Sequence, residues 1–130
     1  MGRQHVAIVG RQVAVHLRSG RKRIETRFTR CRRAPFGCIE PGDTVHFKLS
    51  GGAFIGSVRV ERVEQLSGLT RADLASLRRR YAGEVCAPAG YWEGRRSARF
   101  AVLMWIGRLE RGRPARPVPR QYGNAWVVLE

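Results

Sequence analysis

The sequence of 130 residues has the length of one ordinary domain, and its 43% of hydrophobic residues can build a core without a disulfide framework. Its 25 Lys and Arg residues against 10 Asp and Glu give a formal net charge of +15, which favours polyanions such as nucleic acid as partners. The longest apolar run, FAVLMWI, is far shorter than the roughly 20 residues of a membrane-spanning helix, and no secretory pattern opens the chain, so we expect a cytoplasmic protein that does not bind membranes.

Short strands and one helix are expected in the first fifty residues. The apolar run from His5 to Val9 predicts a buried strand, and RQVAVHLRS predicts a short helix that Gly20 ends in a left-handed cap. Residues 29–43 contain one Pro-Phe-Gly and one Pro-Gly turn sequence, and they predict a loop. The alternation in DTVHFKLS then predicts the next core strand.

The segment AFIGSVRVERVEQL predicts a strand that bends. The tight turn SGG joins it to the strand before it. Its alternation slips between Ile55 and Val58, and again between Val60 and Val63. Slips of this kind indicate the bulges with which barrels curve and close.

The clearest helix signal is LTRADLASLRRRYAG. Thr70 is a typical N-cap with Asp73 three residues later, as in a capping box, and Leu69 and Leu74 can form a hydrophobic staple. Gly83 is placed to cap the carboxyl end. The arginines at 78–80 would then lie near that end, where cations suit the helix dipole.

The last third of the chain predicts two more strands around loops. CAPAGYWEGRRS is a loop, ARFAVLMWIGRLE is apolar on both faces and so predicts a central strand, and AWVVLE predicts a terminal strand after an arginine- and proline-rich connector. The order strand, helix, strand, strand, strand, helix, strand, strand predicts a mixed α+β, mainly β fold. We expect a small closed or half-open β-barrel of about five to six strands with two or three flanking helices, in a single domain over residues 1–130.

The stretch GRKRIETRF carries an unusual row of charge. Period-two alternation places Ile24, Thr26 and Phe28 toward the core, and it places Arg23, Glu25 and Arg27 on the opposite face. A carboxylate between two cations should be ionised at neutral pH. The row is either the floor of a ligand site or an ion-pair network that braces the barrel wall.

The cysteines and histidines give no metal signature. Cys31, Cys38 and Cys86 are odd in number and lack C-x-x-C spacing, so we expect free thiols and no metal or other cofactor. A zinc site built from these cysteines and a histidine is the lesser alternative. The histidines lie beside apolar residues, which is typical of structural roles.

Several of these motifs together resemble one family. SGRKRIETRF resembles the G-x-K-x-x-E-x-R signature of ASCH domains, and IEPGDTVHFK, GSVRVERVEQL, LTRADLASLRRRY, a YW pair and AWVVLE follow in the order of that family. The resemblance covers residues 6 to 129. It implies a PUA-like β-barrel that binds RNA in a cleft beside the barrel, lined by the signature residues.

The resemblance also implies two alternatives with chemistry. Some ASCH proteins hydrolyse N4-acetylcytidine with a lysine, a threonine and a glutamate, and ribonuclease activity is reported in the family. Lys22 and Glu25 would be the catalytic residues if this chain were such an enzyme. In those hydrolases the position three after the lysine is threonine, whereas here it is Glu25, so the stretch favours binding over catalysis.

The candidate ligand site combines the signature with basic and aromatic loops. Tyr91 is expected in the cleft wall, as a platform for a base, with Trp92 partly buried. The candidate binding residues are Lys22, Arg23, Glu25, Arg27, Arg30, Arg32, Arg33, Lys48, Tyr91, Trp92, Arg95 and Arg96. The expected partner is RNA or a nucleotide-like ligand, and a monomer is favoured.

Overall fold

The computed structural model describes residues 2–119 and 124–129 and contains eight regular elements in the predicted order. They are β1 (Gln4–Val9), α1 (Arg11–Ser19), β2 (Ile24–Thr29), β3 (Thr44–Leu49), β4 (Phe54–Ser67), α2 (Arg71–Val85), β5 (Phe100–Ile106) and β6 (Trp126–Leu129), with a one-turn 3-10 helix at Glu93–Arg95. Part of the predicted connector before β6, and the two chain ends, lie outside the described residues.

The six strands form one mixed sheet in the order β2-β5-β4-β3-β1-β6. β1 and β3 are parallel, and the other neighbours are antiparallel. The predicted fold class, mainly β with flanking helices, is confirmed, and the sheet is open, because its edge strands β2 and β6 do not pair with each other. The gap between these two edges is where the candidate site lies.

The long strand β4 bends the sheet, as its slips in alternation predicted. Its first part pairs with β3 and its second part with β5, and the register shifts once in each part. Ile55 is the extra residue opposite Phe47 and Lys48, and Glu61 is the extra residue opposite Trp105 and Ile106. Two bulges in one strand increase its twist and turn the sheet toward a barrel.

Gly56 beside the first bulge has no acceptable substitute. Its φ is +148°, and a Cβ placed there would lie 2.6 Å from the carbonyl oxygen of Glu110. Ser57 forms an isolated bridge with Glu110, so the chain after β5 crosses β4 at this close approach. Glycine is required both by the backbone conformation and by the neighbouring backbone.

Two apolar clusters fill the interior. The first lies between α1 and the strands β1, β3, β4 and β5, with Phe47 and Met104 fully buried. The second lies between α2 and the pair β2–β5, with Ile24, Leu77 and Leu103 at its centre. Each such buried side chain contributes about 1.5–3 kcal/mol, so the second cluster fixes β2, the strand that carries the charged row, against α2.

The amino end of α2 is as predicted, and the carboxyl end is not. Thr70 and Asp73 form the full capping box, with Thr70 Oγ1 accepting from the Asp73 N–H. The prediction that Gly83 ends the helix was wrong: α2 continues to Val85, and Cys86 caps it with a left-handed φ of 53°. Val85 is buried in the second cluster, and burial of its side chain favours the extra half-turn.

Because α2 ends at Val85, the prediction that the arginines at 78–80 lie near its carboxyl end was wrong. Residues 78–80 lie in the middle of the helix, and no basic residue occupies its last turn. The carboxyl end of α2 instead presents the backbone carbonyl of Val85 to Lys22, as described below. The Gly20 cap of α1 was predicted correctly, with φ of 77°.

Candidate functional site

A cavity of about 370 Å³ lies in the gap between β2 and the β1–β6 side of the sheet. Its walls come from the end of β1, the first turn of α1, β2, the loop after β2, the loop after α2 and the segment that leads into β6. The residues that carry polar chemistry or aromatic rings there are Lys22, Glu25, Thr26, Arg27, Phe28, Thr29, Arg33, Tyr91, Arg95, Asn124 and Trp126. A volume of this size suits one small ligand or one nucleotide.

Lys22, just before β2, lies in the cavity wall and is held there by a backbone carbonyl and a carboxylate. Only 5% of its surface is exposed. Its Nζ donates to the Val85 carbonyl oxygen at 2.6 Å and lies 3.4 Å from Glu25 Oε1. Because the carboxyl end of a helix carries partial negative charge, the last turn of α2 stabilises the ammonium group.

Glu25 is the anion at the centre of the site. Its Oε2 accepts from Arg27 Nη2 at 3.0 Å, and its Oε1 accepts from the Thr26 N–H at 3.0 Å. Burial raises the pKa of Glu25, but the charges of Arg27 and Lys22, together with hydrogen bonds from Arg27 and the Thr26 N–H, outweigh burial and place the pKa below its usual range. The carboxylate is therefore ionised at neutral pH and acts as an acceptor of hydrogen bonds.

Arg27 spans the gap between the two sheet edges. Its Nη2 donates to the Ile8 carbonyl of β1 at 3.1 Å, and its Nη1 donates to the Ala125 carbonyl before β6 at 3.4 Å. Its guanidinium carbon also lies 5.1 Å from the centre of the Trp126 ring. Arg27 therefore links β2 to β1 and to the segment before β6, where the strands themselves do not pair, and it forms part of the cavity floor.

Trp126 is positioned by a buried chain of hydrogen bonds. Its Nε1 donates to His5 Nδ1 at 3.1 Å, and His5 Nε2 lies 2.8 Å from Asp43 Oδ2. Because an indole N–H can only donate, Nδ1 is the acceptor and the neutral His5 carries its proton on Nε2. Burial lowers the pKa of His5, and the nearby charge of Arg3 lowers it further, against the opposing effect of Asp43.

Tyr91 and Thr26 join the other wall of the cavity. Their hydroxyl oxygens are 2.6 Å apart, and the Tyr91 hydroxyl also donates to the Thr26 carbonyl at 3.3 Å. Burial raises the pKa of Tyr91, which keeps the phenol protonated. Thr26 is buried on the face that it shares with Phe28, as predicted, because Tyr91 contacts both side chains, and both residues also line the cavity.

The rim of the cavity carries two arginines that form no ion pair among the described residues. Arg33 is exposed, and the Arg95 guanidinium carbon lies 4.3 Å above the ring of Tyr91. Gly10 and Val13 place the first turn of α1 on the same wall, and no side chain caps that end of the helix. The free N–H groups of a first helical turn favour negative charge.

The structure brings together about half of the predicted binding residues. The cavity includes Lys22, Glu25, Arg27, Arg33, Tyr91 and Arg95. Arg30 and Arg96 lie in an adjoining depression. The remaining predicted residues lie elsewhere, in the positions described next.

Four predicted binding residues line neither the cavity nor the adjoining depression. Arg23 is exposed beside a separate depression next to Gly107, and Lys48 on β3 donates to the Leu49 carbonyl. Arg32 stacks on Phe36, with its guanidinium carbon 4.8 Å from the ring centre. Trp92 packs against Phe28 in the second apolar cluster, as its predicted burial required.

Sequence reasoning missed the role of Trp126 and of the buried pair behind it. Trp126 and His5 are separated by 121 positions, and only the pairing of β6 with β1 brings them together. The one local signal was a tryptophan at the start of a terminal strand. In the described part of the chain, no group of three or more His, Cys, Asp or Glu side chains is placed to hold a metal ion, and Cys31, Cys38 and Cys86 are free.

Comparison with known proteins gives a consistent result at the level of the fold. No protein-family profile and no curated protein matches the sequence. The ASCH protein from Zymomonas mobilis superimposes with a TM-score of 0.70 at 17% identity, over 98% of this chain and 87% of that one. Its serine-to-alanine variant gives 0.70 at 18% identity over 98% and 88%, and its tyrosine-to-phenylalanine variant 0.69 at 18% over 98% and 90%. The chain has the fold of an ASCH domain.

The ASCH fold agrees with the order of motifs in the sequence. Both the charged stretch that leads into β2 and the start of the terminal strand β6 border the cavity of this ASCH-fold chain. Among the described residues, no helix has the length and apolar character needed to cross a membrane.

Proposed function

We propose that this protein binds RNA and that one nucleotide enters the cavity between β2 and β6. The observation that carries the proposal is the combination of groups in that single cavity. It offers the ring of Tyr91 beside the largely buried Trp126, an ionised Glu25 fixed in position, and a rim with Arg33 and Arg95. Aromatic faces stack on bases, carboxylates accept from base amino groups, and arginines bind phosphates.

The rigidity of the cavity floor supports binding. Lys22, Glu25 and Arg27 are engaged by backbone carbonyls, by a backbone N–H and by one another. A ligand therefore meets a preformed site and does not have to order these long side chains, which lowers the entropic cost of binding. The resemblance of ASCH domains to the RNA-binding PUA fold supports the same reading.

The geometry favours binding over hydrolysis of a modified nucleoside. The hydroxyl of Thr26 is engaged by the hydroxyl of Tyr91, and the raised pKa of Tyr91 keeps the phenol protonated, so it is not available as a general base. The Glu25 carboxylate is neutralised by two cations, which weakens it as a proton acceptor. The Thr26 hydroxyl is thus held by Tyr91, and Lys22 and Glu25 are paired with each other.

The test is the affinity of the purified protein for labelled RNA of about ten nucleotides, measured by fluorescence anisotropy over a series of salt concentrations. Because phosphate contacts release counterions, log affinity should fall linearly with log salt, by a slope of about 0.7 for each phosphate contact with a single strand. Absence of binding at low salt, or an affinity that does not change with salt, contradicts the proposal.

A further inference from the structure

A second depression, of about 790 Å³, adjoins the cavity and is lined by arginines. It shares Phe28, Thr29 and Arg33 with the cavity, so the two form one continuous surface. We name it the arginine groove, after its residues Arg30, Arg33, Arg71, Arg96 and Arg99. Among the residues that the structure describes, no Asp or Glu lines it.

The strand register explains why these arginines meet. Phe100 pairs with Thr29 of β2 on one side and with Ser67 of β4 on the other. The end of β2, the start of β5 and the turn into α2 therefore lie at one edge of the sheet. Arg30, Arg99 and Arg71 each stand within four residues of these paired positions, although they are distant in the sequence.

The charges of the arginine groove are not balanced by the protein. Among the ion pairs of residues 2–119 and 124–129, none involves an arginine of the groove. Carboxylates elsewhere pair with arginines outside it, as Glu93 does with Arg78. Like charges gathered round one depression repel one another in the free protein and attract a polyanion.

The position of Arg71 adds to the imbalance. It is the first residue of α2, where the helix dipole already carries partial positive charge and disfavours a cation. The one acidic residue in that turn, Asp73, is occupied by the capping box, where it accepts from the Thr70 N–H. The start of α2 therefore adds to the positive potential of the groove.

We infer that the RNA strand continues from the cavity into the arginine groove, so that the ligand is an extended strand and not a free nucleoside. This inference rests on the proposed function and adds the path of the backbone on one side of the bound nucleotide. The adjoining base site, with the ring of Tyr91 beside the largely buried Trp126, favours a nucleic acid over an acidic protein as the occupant.

The experiment compares two double variants that remove the same charge. Arg30→Gln with Arg71→Gln alters the groove, and Arg79→Gln with Arg111→Gln alters exposed arginines outside it. Each is titrated with ten-nucleotide RNA and with a nucleoside monophosphate at 50 and 200 mM salt. Thermal unfolding followed by circular dichroism checks that both variants fold.

The groove variant should lose two phosphate contacts. Raising the salt from 50 to 200 mM weakens RNA binding by both proteins. At a slope of about 0.7 per contact, the loss of affinity for the ten-nucleotide RNA should be about seven times smaller for the groove variant than for the wild type. The affinity of the groove variant for the nucleoside monophosphate should not change. The control variant should follow the wild type with both ligands.

Three results overturn the inference. Equal behaviour of the two variants toward the long RNA rejects the groove while leaving RNA binding in the cavity intact. Competition by polyglutamate as effective as that by RNA assigns the groove to an acidic protein partner. Absence of RNA binding by the wild type at 50 mM salt rejects the inference together with the proposed function.

Discussion

Glu25 belongs both to the charged row of β2 and to the wall of the candidate site. Its carboxylate is 5% exposed and lies between Lys22 and Arg27, with the Thr26 N–H as a further donor. The alternatives of a ligand floor and a structural brace are therefore not exclusive, because the ion pairs that fix Glu25 also form the wall of the cavity. Rigid support of this kind is what a binding site needs.

Replacement of Glu25 by glutamine should destabilise the fold strongly. Two cations would remain buried without their counterion, and removal of one partner of a buried ion pair costs about 3–5 kcal/mol. The measurement is the free energy of unfolding in urea. Glu64→Gln is the matched control, because Glu64 pairs with Arg62 on the surface of β4, where such a pair contributes less than about 1 kcal/mol.

An equally small change in the free energy of unfolding for both substitutions would contradict a stabilising role of the Glu25 ion pairs. That result would mean that water or other groups solvate Lys22 and Arg27 well enough without the carboxylate.

At the scale of elements, the short strand β6 depends on side chains as much as on its pairing. It has four residues and one neighbour, β1. Trp126 at its start is fixed by His5 on one side and by Arg27 on the other. The wall of the cavity formed by β6 therefore depends on His5 remaining neutral.

Stability should fall as the solution becomes more acidic. Burial lowers the pKa of both His5 and His46 from 6.5, with a further lowering of His46 by the charge of His5. Below pH 6.5 the unfolded chain binds protons that the folded chain does not. The free energy of unfolding therefore decreases as the pH is lowered, by up to about 1.4 kcal/mol per pH unit for each histidine. Above that pH the histidine contribution is fully present.

Unfolding in urea, followed by tryptophan fluorescence at several values between pH 5 and 8, measures this dependence. His46→Gln removes one of the two titrating groups and should make the dependence shallower. A free energy of unfolding that stays constant or rises as the pH falls from 7 to 5 would contradict the assignment of neutral, buried histidines.

Most elements could be predicted because their signals are local. The capping box of Thr70 and Asp73 and the slips in β4 are readable over a few residues, and both are present. The end of α2 could not be predicted in the same way. Gly83 is a local stop signal, but burial of Val85 two residues later outweighs it, and burial is a property of the whole fold.

At the scale of the whole molecule, the net charge of +15 divides into engaged and free cations. Lys22 and Arg27 are used to build the site, whereas the arginine groove and Arg95 lack ion pairs among the described residues. The total charge predicts a polyanionic partner. The distribution of the charge indicates where that partner would lie.

The sequence predicted the part of the site that lies on one strand and its loops. Glu25 and Arg27 lie two positions apart on β2, so their meeting follows from strand geometry, and Lys22 lies only three positions before Glu25. Trp126, Arg71 and Arg99 join the surface only through long-range pairing of strands. Such contacts depend on register and topology, which a single sequence does not specify.

The most direct test of RNA binding in the cavity compares two arginines that each stack on a tyrosine. Arg95 covers Tyr91 at the cavity rim, and Arg80 covers Tyr81 on α2, with its guanidinium carbon 5.0 Å from the ring centre. The dissociation constant for ten-nucleotide RNA is measured at 100 mM salt for wild type, Arg95→Gln and Arg80→Gln. We expect Arg95→Gln to weaken binding roughly tenfold, the size of one charge-assisted hydrogen bond, and Arg80→Gln to leave it nearly unchanged. Equal affinities of the two variants would contradict RNA binding at this cavity.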